Sequence, residues 1–387
     1  MNRQERDILL SLVNKQYINQ RILAEDSGYS LGKVNQSIKA LTEKGYLNEE
    51  VQLTQQAKEI IEQNKPQNAI VLAAGFGMRM VPINTEVPKG LLEVYGEPLI
   101  ERIIKQLHEV GITSIYIVVG FMKEQYEYLI DEYGVELIVN EEYAQKNNLH
   151  TLKNAKKYIS NSYIIPCDIW CKNNPFSQYE LYSWYMVRND FMRLSDVRVN
   201  RKMELVLNNK GKVGNTMIGI SYLEEKTAKL VKDRIDLLCK NHKYDDSFWE
   251  ETLYEKEKMI VQAKVVKSTD AIEINTYEQL REIDSNSNQL KTDAIEIISK
   301  QLGVEQNCIT NISVLKKGMT NRSFLFSCND ENYIMRIPGE GTDQLINRYE
   351  EATVYGKLHG KNICEDPIYI NPKNGYKVTK FLNDART

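Results

Sequence analysis

Apolar residues repeat at helical spacing in the first 66 residues of the chain. The repeats predict helices around residues 8–13, at 19–27 and at 31–44, followed by a short β wing and a fourth helix. Helix-capping polar residues and helix-ending glycines support these bounds; they are Ser30, Thr54, Gly28 and Gly45. Two short helices joined by a glycine-containing turn and followed by a wing predict a winged helix-turn-helix domain at residues 1–66.

Short apolar runs alternate with amphipathic segments in residues 67–285. Alternating strands and helices predict an α/β domain whose ligands bind at the carboxyl ends of parallel strands. We expect strands at 69–72, 114–119, 136–139 and 163–168, and helices at 98–110 and 123–133.

A polar stretch at residues 285–288 has the composition of a linker. It separates the α/β pattern from a third region, residues 290–387, which contains a clear strand at 333–337. A chain of 387 residues is too long for one ordinary domain, so we predict three: 1–66, 67–285 and 290–387.

The charge balance limits the partners of the chain. A formal net charge of −3 argues against nucleic-acid binding along the whole molecule. Residues 1–65 contain nine Lys or Arg and nine Asp or Glu, whereas a DNA-binding domain should have a basic face. We therefore favour a protein-contact or regulatory role for the winged helix-turn-helix, and DNA binding stays open.

The six cysteines are scattered, with no CxxC pair, which favours reduced thiols over disulfides or a zinc site. The start of the chain, MNRQERDILL, lacks the apolar core of a signal peptide. No run reaches the ~18 apolar residues of a membrane span. We expect a cytoplasmic protein without a membrane partner.

A glycine-rich loop, AAGFGMR at residues 73–79, follows the first strand of the α/β region. Its small residues let backbone N–H groups approach a phosphate chain. Arg79 adds a fork-shaped donor, and Lys89, directly after Pro88, adds a second cation. This combination predicts a nucleotide-phosphate site.

The strand at 163–168 ends in Asp168. A carboxylate in this place can hold Mg²⁺, which prefers oxygen ligands and bridges to substrate phosphates. A helix cap is the alternative role for Asp168. Cys167 and Cys171 are poor magnesium ligands, so we interpret them as packing residues.

These motifs together resemble the sugar-nucleotide and alcohol-phosphate nucleotidyltransferases, whose signature reads LxxGxGxR followed by PK. Over residues 68–284 the order LAAGFGMRM, PKGLLEVYGEPLIER, NNLHTL, CDIWCKNNPF, SFWEETLY and EINTYEQL is similar to bacterial CTP:phosphocholine cytidylyltransferases. The resemblance implies a Rossmann-like fold with a mixed, mostly parallel sheet. It also implies Mg²⁺-dependent transfer of CMP from CTP to phosphocholine, giving CDP-choline and pyrophosphate. Two positions depart from the family: Pro166 replaces an Asp, and Phe191 replaces a Trp.

The resemblance further implies roles for individual residues. Arg79 and Lys89 would be catalytic. Asp168 and Glu273 would be the metal ligands, supported by Asn275, because strand alternation places it on the same face as Glu273. Asn147 or Asn148 would lie beside the base, unless both only cap a helix. The implied nucleotide-binding residues are Leu72, Ala73, Ala74, Gly75, Gly77, Arg79, Lys89, Gly120, Asn147 and Asn148.

The chemistry of choline predicts its binding site. A quaternary ammonium has no hydrogen-bond donor, so aromatic faces and a carboxylate recognise it. Core packing is the alternative role for each aromatic, and the choice between choline and ethanolamine stays open. The candidates are Phe191, Tyr222, Phe248 and Trp249, with Asp245 and Asp246 beside them.

Residues 315–324 and 333–339 resemble the amino-terminal lobe of choline and aminoglycoside kinases, an α+β fold. Arg336 stands where such kinases usually carry a strand lysine, and Glu350 or Glu351 stands where the helix glutamate would be. The catalytic-loop motifs do not occur before the end of the chain, so we expect an incomplete lobe without kinase activity. Because the transferase motifs are complete before residue 285, we expect transfer not to depend on this lobe.

Two other functions stay open. One is a DNA-binding regulator that senses CTP or phosphocholine through a degenerate transferase domain. The other is a nucleotidyltransferase that uses another nucleotide and acts on phosphoethanolamine or a sugar 1-phosphate. A homo-oligomer is compatible with either.

Overall fold

The computed structural model describes residues 1–193, 195–208, 212–315, 321–339, 342, 345–361 and 363–382. The chain divides into two compact units. The first unit comprises Met1–Gly75 and Arg102–Glu273, and the second comprises Phe76–Glu101 and Ile274–Thr387. Within the described part of the chain, no helix is long and apolar enough to cross a membrane.

The regular elements of the described residues are numbered along the chain. The helices are α1 (Arg3–Asn14), α2 (Gln20–Ser27), α3 (Leu31–Glu43), α4 (Gln55–Gln63), α5 (Leu99–Glu109), α6 (Tyr128–Tyr133), α7 (Asn148–Asn154), α8 (Glu225–Leu238), α9 (Tyr277–Ile283), α10 (Asp293–Leu302) and α11 (Arg348–Leu358). The strands are β1 (Asn68–Ala73), β2 (Glu93–Val94), β3 (Glu97–Pro98), β4 (Ile115–Val119), β5 (Glu136–Val139), β6 (Ser162–Pro166), β7 (Ile169–Cys171), β8 (Trp184–Arg193), β9 (Val197–Val199), β10 (Glu204–Leu207), β11 (Val213–Leu223), β12 (Tyr254–Glu255), β13 (Lys258–Val266), β14 (Ala271–Glu273), β15 (Thr310–Val314), β16 (Asn321–Cys328), β17 (Glu331–Pro338), β18 (Pro367–Ile370) and β19 (Lys377–Lys380).

The predicted winged helix-turn-helix is confirmed by α1 to α4 and by the bridge between Leu47 and Leu53 in the wing. Gly28 ends α2 with a φ of 69°, a left-handed conformation that favours glycine. The Thr54 side chain caps α4 by accepting a hydrogen bond from the backbone of Ala57. Ser30 precedes α3 as expected, but its side chain makes no capping hydrogen bond.

A segment far along the chain completes the core of the winged helix-turn-helix. Leu181 is buried in the same apolar cluster as Ile8 and Leu41. The Tyr182 hydroxyl donates to one carboxylate oxygen of Asp7 at 2.6 Å. The sequence pattern did not indicate this contact, because it joins residues that are widely separated in the chain.

The main sheet of the first unit is mixed, as predicted. Its strand order is β5-β4-β1-β6-β11-β8-β13-β10-β9, with β12 beside β13. The strands β5, β4, β1 and β6 are parallel, while β11 runs antiparallel to both β6 and β8. Parallel neighbours end at the same edge, so the residues that follow β1 and β6 lie on one side of the sheet.

The second unit contains an antiparallel sheet in the order β15-β16-β17-β19-β18. Its core includes Phe324, Phe326 and Met335, which are fully buried. The unit also contains α9, α10, α11 and the small β2–β3 hairpin. The result is an α+β arrangement after residue 290, and its kinase-like character stays a prediction.

Candidate active site

The strand β1 brings the glycine-rich loop to the edge of the first unit's sheet. All six residues of β1 are buried, including Leu72 and Ala73. The next residue, Ala74, accepts a hydrogen bond from the N–H of Phe121 at 3.1 Å. A Cβ added at Gly120 would lie 2.8 Å from Tyr143 and 2.9 Å from the Ala74 carbonyl. Gly120 therefore has a packing role beside the loop, whatever its role toward a nucleotide.

The two loop glycines have different physical requirements. Gly77 has a φ of 60°, which favours glycine at that position. Gly75 has no positive φ, and an added Cβ would meet no described atom within 4 Å. Neither its backbone conformation nor a described neighbour requires glycine at 75, and its role toward a nucleotide stays a prediction.

Arg79 and Lys89 converge on one oxygen atom in the second unit. Arg79 Nη2 donates to the side-chain oxygen of Asn275 at 2.8 Å, and Lys89 Nζ donates to the same oxygen at 2.6 Å. The partner they share is a neutral amide oxygen. Two cations held close together suit an anionic ligand.

The environment of Asn275 differs from its sequence-based interpretation. The strand β14 ends at Glu273, so strand alternation does not extend to Asn275. Its backbone N–H instead donates to the Gln279 side chain at 2.7 Å, where Thr276 and Gln279 form the capping box of α9. Asn275 therefore lies next to the start of α9, and its side-chain oxygen accepts hydrogen bonds from Arg79 and Lys89.

The two predicted metal ligands lie on adjacent backbone segments of the first unit. The strand β6 ends at Pro166, and Asp168 lies in the turn before β7. The strand β14 pairs with β7 so that Glu273 is opposite Ile169, the residue after Asp168. Position 166 cannot supply a further ligand, since proline has no suitable side chain; its ring occupies the space that Gly219 leaves free.

This donor set suits Mg²⁺ better than a transition metal. The described residues contain no group of three or more His, Cys, Asp or Glu side chains that could hold a metal. Mg²⁺ needs only one or two carboxylates, because substrate phosphates and water complete its coordination. The buried Cys171 is not a ligand candidate, since burial raises the pKa of its thiol to about 12. All six cysteines are free thiols, as predicted.

Glu250 is a candidate that the sequence analysis did not select. One carboxylate oxygen accepts from the Tyr185 hydroxyl at 2.8 Å, and the other is buried without a hydrogen-bond partner among the described atoms. Burial, with the negative charges of Glu273 and Asp196, raises the pKa of Glu250 to about 7. A carboxylate held in this way fits a cationic ligand. The local sequence, DDSFWEETLYEK at residues 245–256, contains no signal that distinguishes Glu250 from its acidic neighbours.

The two candidate base-binding asparagines brace the segment at residues 245–249. Asn147 caps α7 and donates its side-chain N–H to the carbonyl of Asp246 at 3.0 Å. The Asn148 side-chain oxygen accepts from the backbone N–H of Trp249 at 2.7 Å. The capping alternative is thus observed for Asn147, and base recognition stays a prediction. The Asp246 residue itself is exposed.

The four candidate aromatics fall into two classes. Phe191 is 60% exposed and Phe248 is 61% exposed, so both offer a ring face to a ligand. Trp249 is fully buried in the main core, 6.1 Å from the Tyr185 ring centroid. Tyr222 is also fully buried and donates its hydroxyl to the Asn64 carbonyl at 2.5 Å. A buried ring has no face for a dissolved cation, so Tyr222 and Trp249 are core residues here.

Residues 290–387 contain an ion pair between Arg336 and one of the two candidate glutamates. Arg336 on β17 donates two hydrogen bonds to the carboxylate of Glu351 on α11. These hydrogen bonds lower the pKa of Glu351. Glu350 is exposed at the start of the same helix. Most of the loop predicted to bind a nucleotide, residues 316–320, and Gly341 lie outside the described residues.

Known proteins resemble this chain in two regions. Residues 69–181 match the MobA-like NTP transferase domain, and residues 1–48 match a winged helix-turn-helix DNA-binding domain. The choline-phosphate cytidylyltransferase of Streptococcus pneumoniae is 32% identical over 237 residues, which are 57% of this chain and 99% of that relative. The 2-aminoethylphosphonate cytidylyltransferase of Lancefieldella rimae is 30% identical over 193 residues, which are 48% of this chain and 78% of the relative.

A solved structure agrees with these similarities. The CTP:phosphocholine cytidylyltransferase from Streptococcus pneumoniae matches with a TM-score of 0.53 and 30% identity. The match covers 57% of this chain and 98% of that one. The similarity therefore extends over almost the whole relative and little more than half of this chain.

Proposed function

Since this chain belongs to the nucleotidyltransferase family that includes the bacterial choline-phosphate cytidylyltransferases, we propose that it transfers CMP from CTP to phosphocholine. The products are CDP-choline and pyrophosphate. The observation that carries the proposal is the 32% identity to a choline-phosphate cytidylyltransferase over 99% of that relative. The convergence of Arg79 and Lys89 on one oxygen supports it, because two fixed cations suit a polyphosphate.

The proposed reaction needs no general base. A phosphomonoester is largely dianionic at neutral pH, since its second pKa is near ~6. One of its oxygens attacks the α-phosphorus of CTP. The bond from that phosphorus to the oxygen bridging the β-phosphate breaks, and pyrophosphate leaves with the electron pair. The work of the protein is to position two polyanions and to stabilise the charge that moves to the leaving group.

The residues of the chain divide this work. Arg79 and Lys89 bind nucleotide phosphates and stabilise charge on the leaving pyrophosphate. The backbone at Gly75 approaches the phosphates closely, because no side chain intervenes. Mg²⁺, held by Asp168 and Glu273, would neutralise part of the phosphate charge.

We assign the binding of the acceptor's cationic group to Phe248 and Glu250. Phe248 is exposed, and a ring face attracts a quaternary ammonium. Glu250, two residues further along the chain, supplies a negative charge when it is ionised, above its raised pKa of about 7. The same carboxylate would also bind a primary ammonium, which is the cationic group of 2-aminoethylphosphonate. The proposal is phosphocholine, with an aminoethyl compound as the competing acceptor.

A screen of substrates tests the proposal. Pyrophosphate release would be measured with each of four NTPs against phosphocholine, phosphoethanolamine, 2-aminoethylphosphonate and glucose 1-phosphate. Each pair would be run with MgCl₂ and with EDTA. We expect CTP with phosphocholine to be fastest and EDTA to abolish the reaction. Equal turnover with all four NTPs would contradict the choice of nucleotide, and activity in EDTA would contradict the metal.

A ligand-sensing regulator is the second candidate function. The match of residues 1–48 to a DNA-binding domain favours it, as does the exposure of Lys33 and Lys39 on α3. The balanced charge of the region weighs against it. A gel shift on genomic DNA fragments, with and without CTP and phosphocholine, would separate the two. A ligand-dependent shift without pyrophosphate release would favour the regulator.

A further inference from the structure

The segment that carries Arg79 and Lys89 has little regular structure of its own. Its elements are the single turns Met78–Met80, Ile83–Thr85 and Lys89–Leu91, followed by the two-residue strands β2 and β3. Such short elements do not hold one conformation alone, because few internal hydrogen bonds stabilise them. The positions of both cations therefore depend on contacts from other parts of the second unit.

Asn275 makes the first of these contacts. It is 8% exposed, and its side-chain oxygen accepts hydrogen bonds from Arg79 and Lys89, which are 196 and 186 residues away in the sequence. The Gln279 side chain holds the Asn275 backbone, so the amide is attached to the start of α9. One side-chain oxygen next to a helix terminus thus contacts both cations.

Gln289 makes the second contact, to the β2–β3 hairpin that follows Lys89. Its side-chain oxygen accepts from the N–H of Glu93 at 2.9 Å, and its side-chain N–H donates to the carbonyl of Leu91 at 3.0 Å. One side chain therefore satisfies a donor and an acceptor of the hairpin backbone. This pairing fixes the hairpin relative to Gln289.

Asp284 holds the turn of the same hairpin. The turn residues Tyr95 and Gly96 have φ values of 55° and 78°. A non-glycine residue with a positive φ is strained and needs support from its surroundings. The Asp284 carboxylate accepts from the Tyr95 N–H at 2.7 Å, which provides that support.

We propose that Asn275, Asp284 and Gln289 are positioning residues of the transferase. Asn275 sets the places of Arg79 and Lys89, and Gln289 with Asp284 holds the hairpin that follows them. The catalytic consequence rests on the proposed function. This inference is opposed to the expectation that deletion of residues 289–387 leaves transfer intact, because Gln289 contacts the cation-bearing segment directly.

The test compares Gln289→Ala with Asn288→Ala in the full chain. Asn288 is the exposed neighbour and serves as the matched control. We expect Gln289→Ala to lower kcat/KM for CTP about tenfold, with the acceptor KM unchanged, while Asn288→Ala behaves as wild type. Gln289→Glu keeps the acceptor for the Glu93 N–H, so it should lower kcat/KM for CTP less than Gln289→Ala does. Equal kinetics for Gln289→Ala and Asn288→Ala would overturn the proposal.

A second measurement does not depend on catalysis. Amide hydrogen exchange of residues 89–97 should be at least about fivefold faster in Gln289→Ala than in wild type, and unchanged in Asn288→Ala. If the wild type transfers no nucleotide but this exchange difference appears, the proposed function fails and the positioning role stands. Unchanged exchange in Gln289→Ala overturns the positioning role, whatever the activity.

Discussion

Replacing Glu250 by Gln should stabilise the protein at pH 8 and weaken its binding of the acceptor. Burial raises the pKa of Glu250 from 4.5 to about 7. This difference of about 2.5 pH units corresponds to about 3.4 kcal/mol, at 1.36 kcal/mol for each unit. Glu250 keeps partial exposure, so we discount the value for solvent screening and expect about 2 kcal/mol. The variant keeps the Tyr185 hydrogen bond, because the amide oxygen of Gln can accept it.

The sign of this effect follows from proton linkage. The folded state holds a proton on Glu250 more tightly than the unfolded state, since its folded pKa is the higher one. The stabilising contribution is therefore complete below pH 4.5 and is lost as the pH rises through about 7. Gln does not ionise, so the variant avoids this loss. The difference in unfolding free energy should be near zero at pH 4.5 and about 2 kcal/mol at pH 8.

Urea denaturation in EDTA at pH 4.5, 6 and 8 would measure this difference for wild type, Glu250→Gln and Glu251→Gln. Glu251 is the exposed neighbour, and its replacement should change the unfolding free energy by less than about 0.5 kcal/mol at every pH. At pH 8 the KM for phosphocholine should rise in Glu250→Gln while the KM for CTP stays constant. A stability difference that is the same at all three pH values would refute the reasoning about Glu250.

Further variants test other parts of the molecule. Lys89→Ala and Asp168→Ala should each lower pyrophosphate release at least ~100-fold in a folded protein, as expected when one preorganised electrostatic contact is removed; near-normal rates would exclude the residue from the site. Phe248→Ala should raise the phosphocholine KM about five- to thirtyfold, from a cation–π contact worth roughly 1–2 kcal/mol, and Phe248→Tyr should not; equal loss with phosphoethanolamine would show that the ring does not recognise the quaternary ammonium. Tyr182→Phe should lower the unfolding free energy by about 1–2 kcal/mol, since it removes the hydrogen bond to the Asp7 carboxylate; a melting curve identical to wild type would contradict that role.

Several local elements were predictable from the sequence alone. The end of α2 agrees with Gly28 and the start of α4 agrees with Thr54, as their capping roles predicted. The parallel strands were predictable for a similar reason, since a short run of apolar residues such as 69–72 indicates a buried strand. The choice of Arg79 and Lys89 also came from the sequence, because their spacing follows a family motif. In each case the information lies within a few residues.

The partners of these residues were decided by the tertiary structure. The pairing of Arg79 and Lys89 with Asn275 spans 196 and 186 residues, so no local pattern contains it. The alternation argument for Asn275 is wrong because a capping box, formed with Gln279, ends the strand early. The contacts of Gln289 were not predictable either, because it directly follows the stretch at residues 285–288, which has the composition of a linker.

Exposure was decided in the same way. Phe248 and Trp249 are adjacent aromatics with nothing in their local sequence to distinguish them, yet one is 61% exposed and the other 0%. Glu250 reads as an ordinary surface acid, but packing around it raises its pKa to about 7. Sequence periodicity reports which face of an element is apolar. Whether a given side chain meets solvent, a charge or another ring depends on segments that only folding brings beside it.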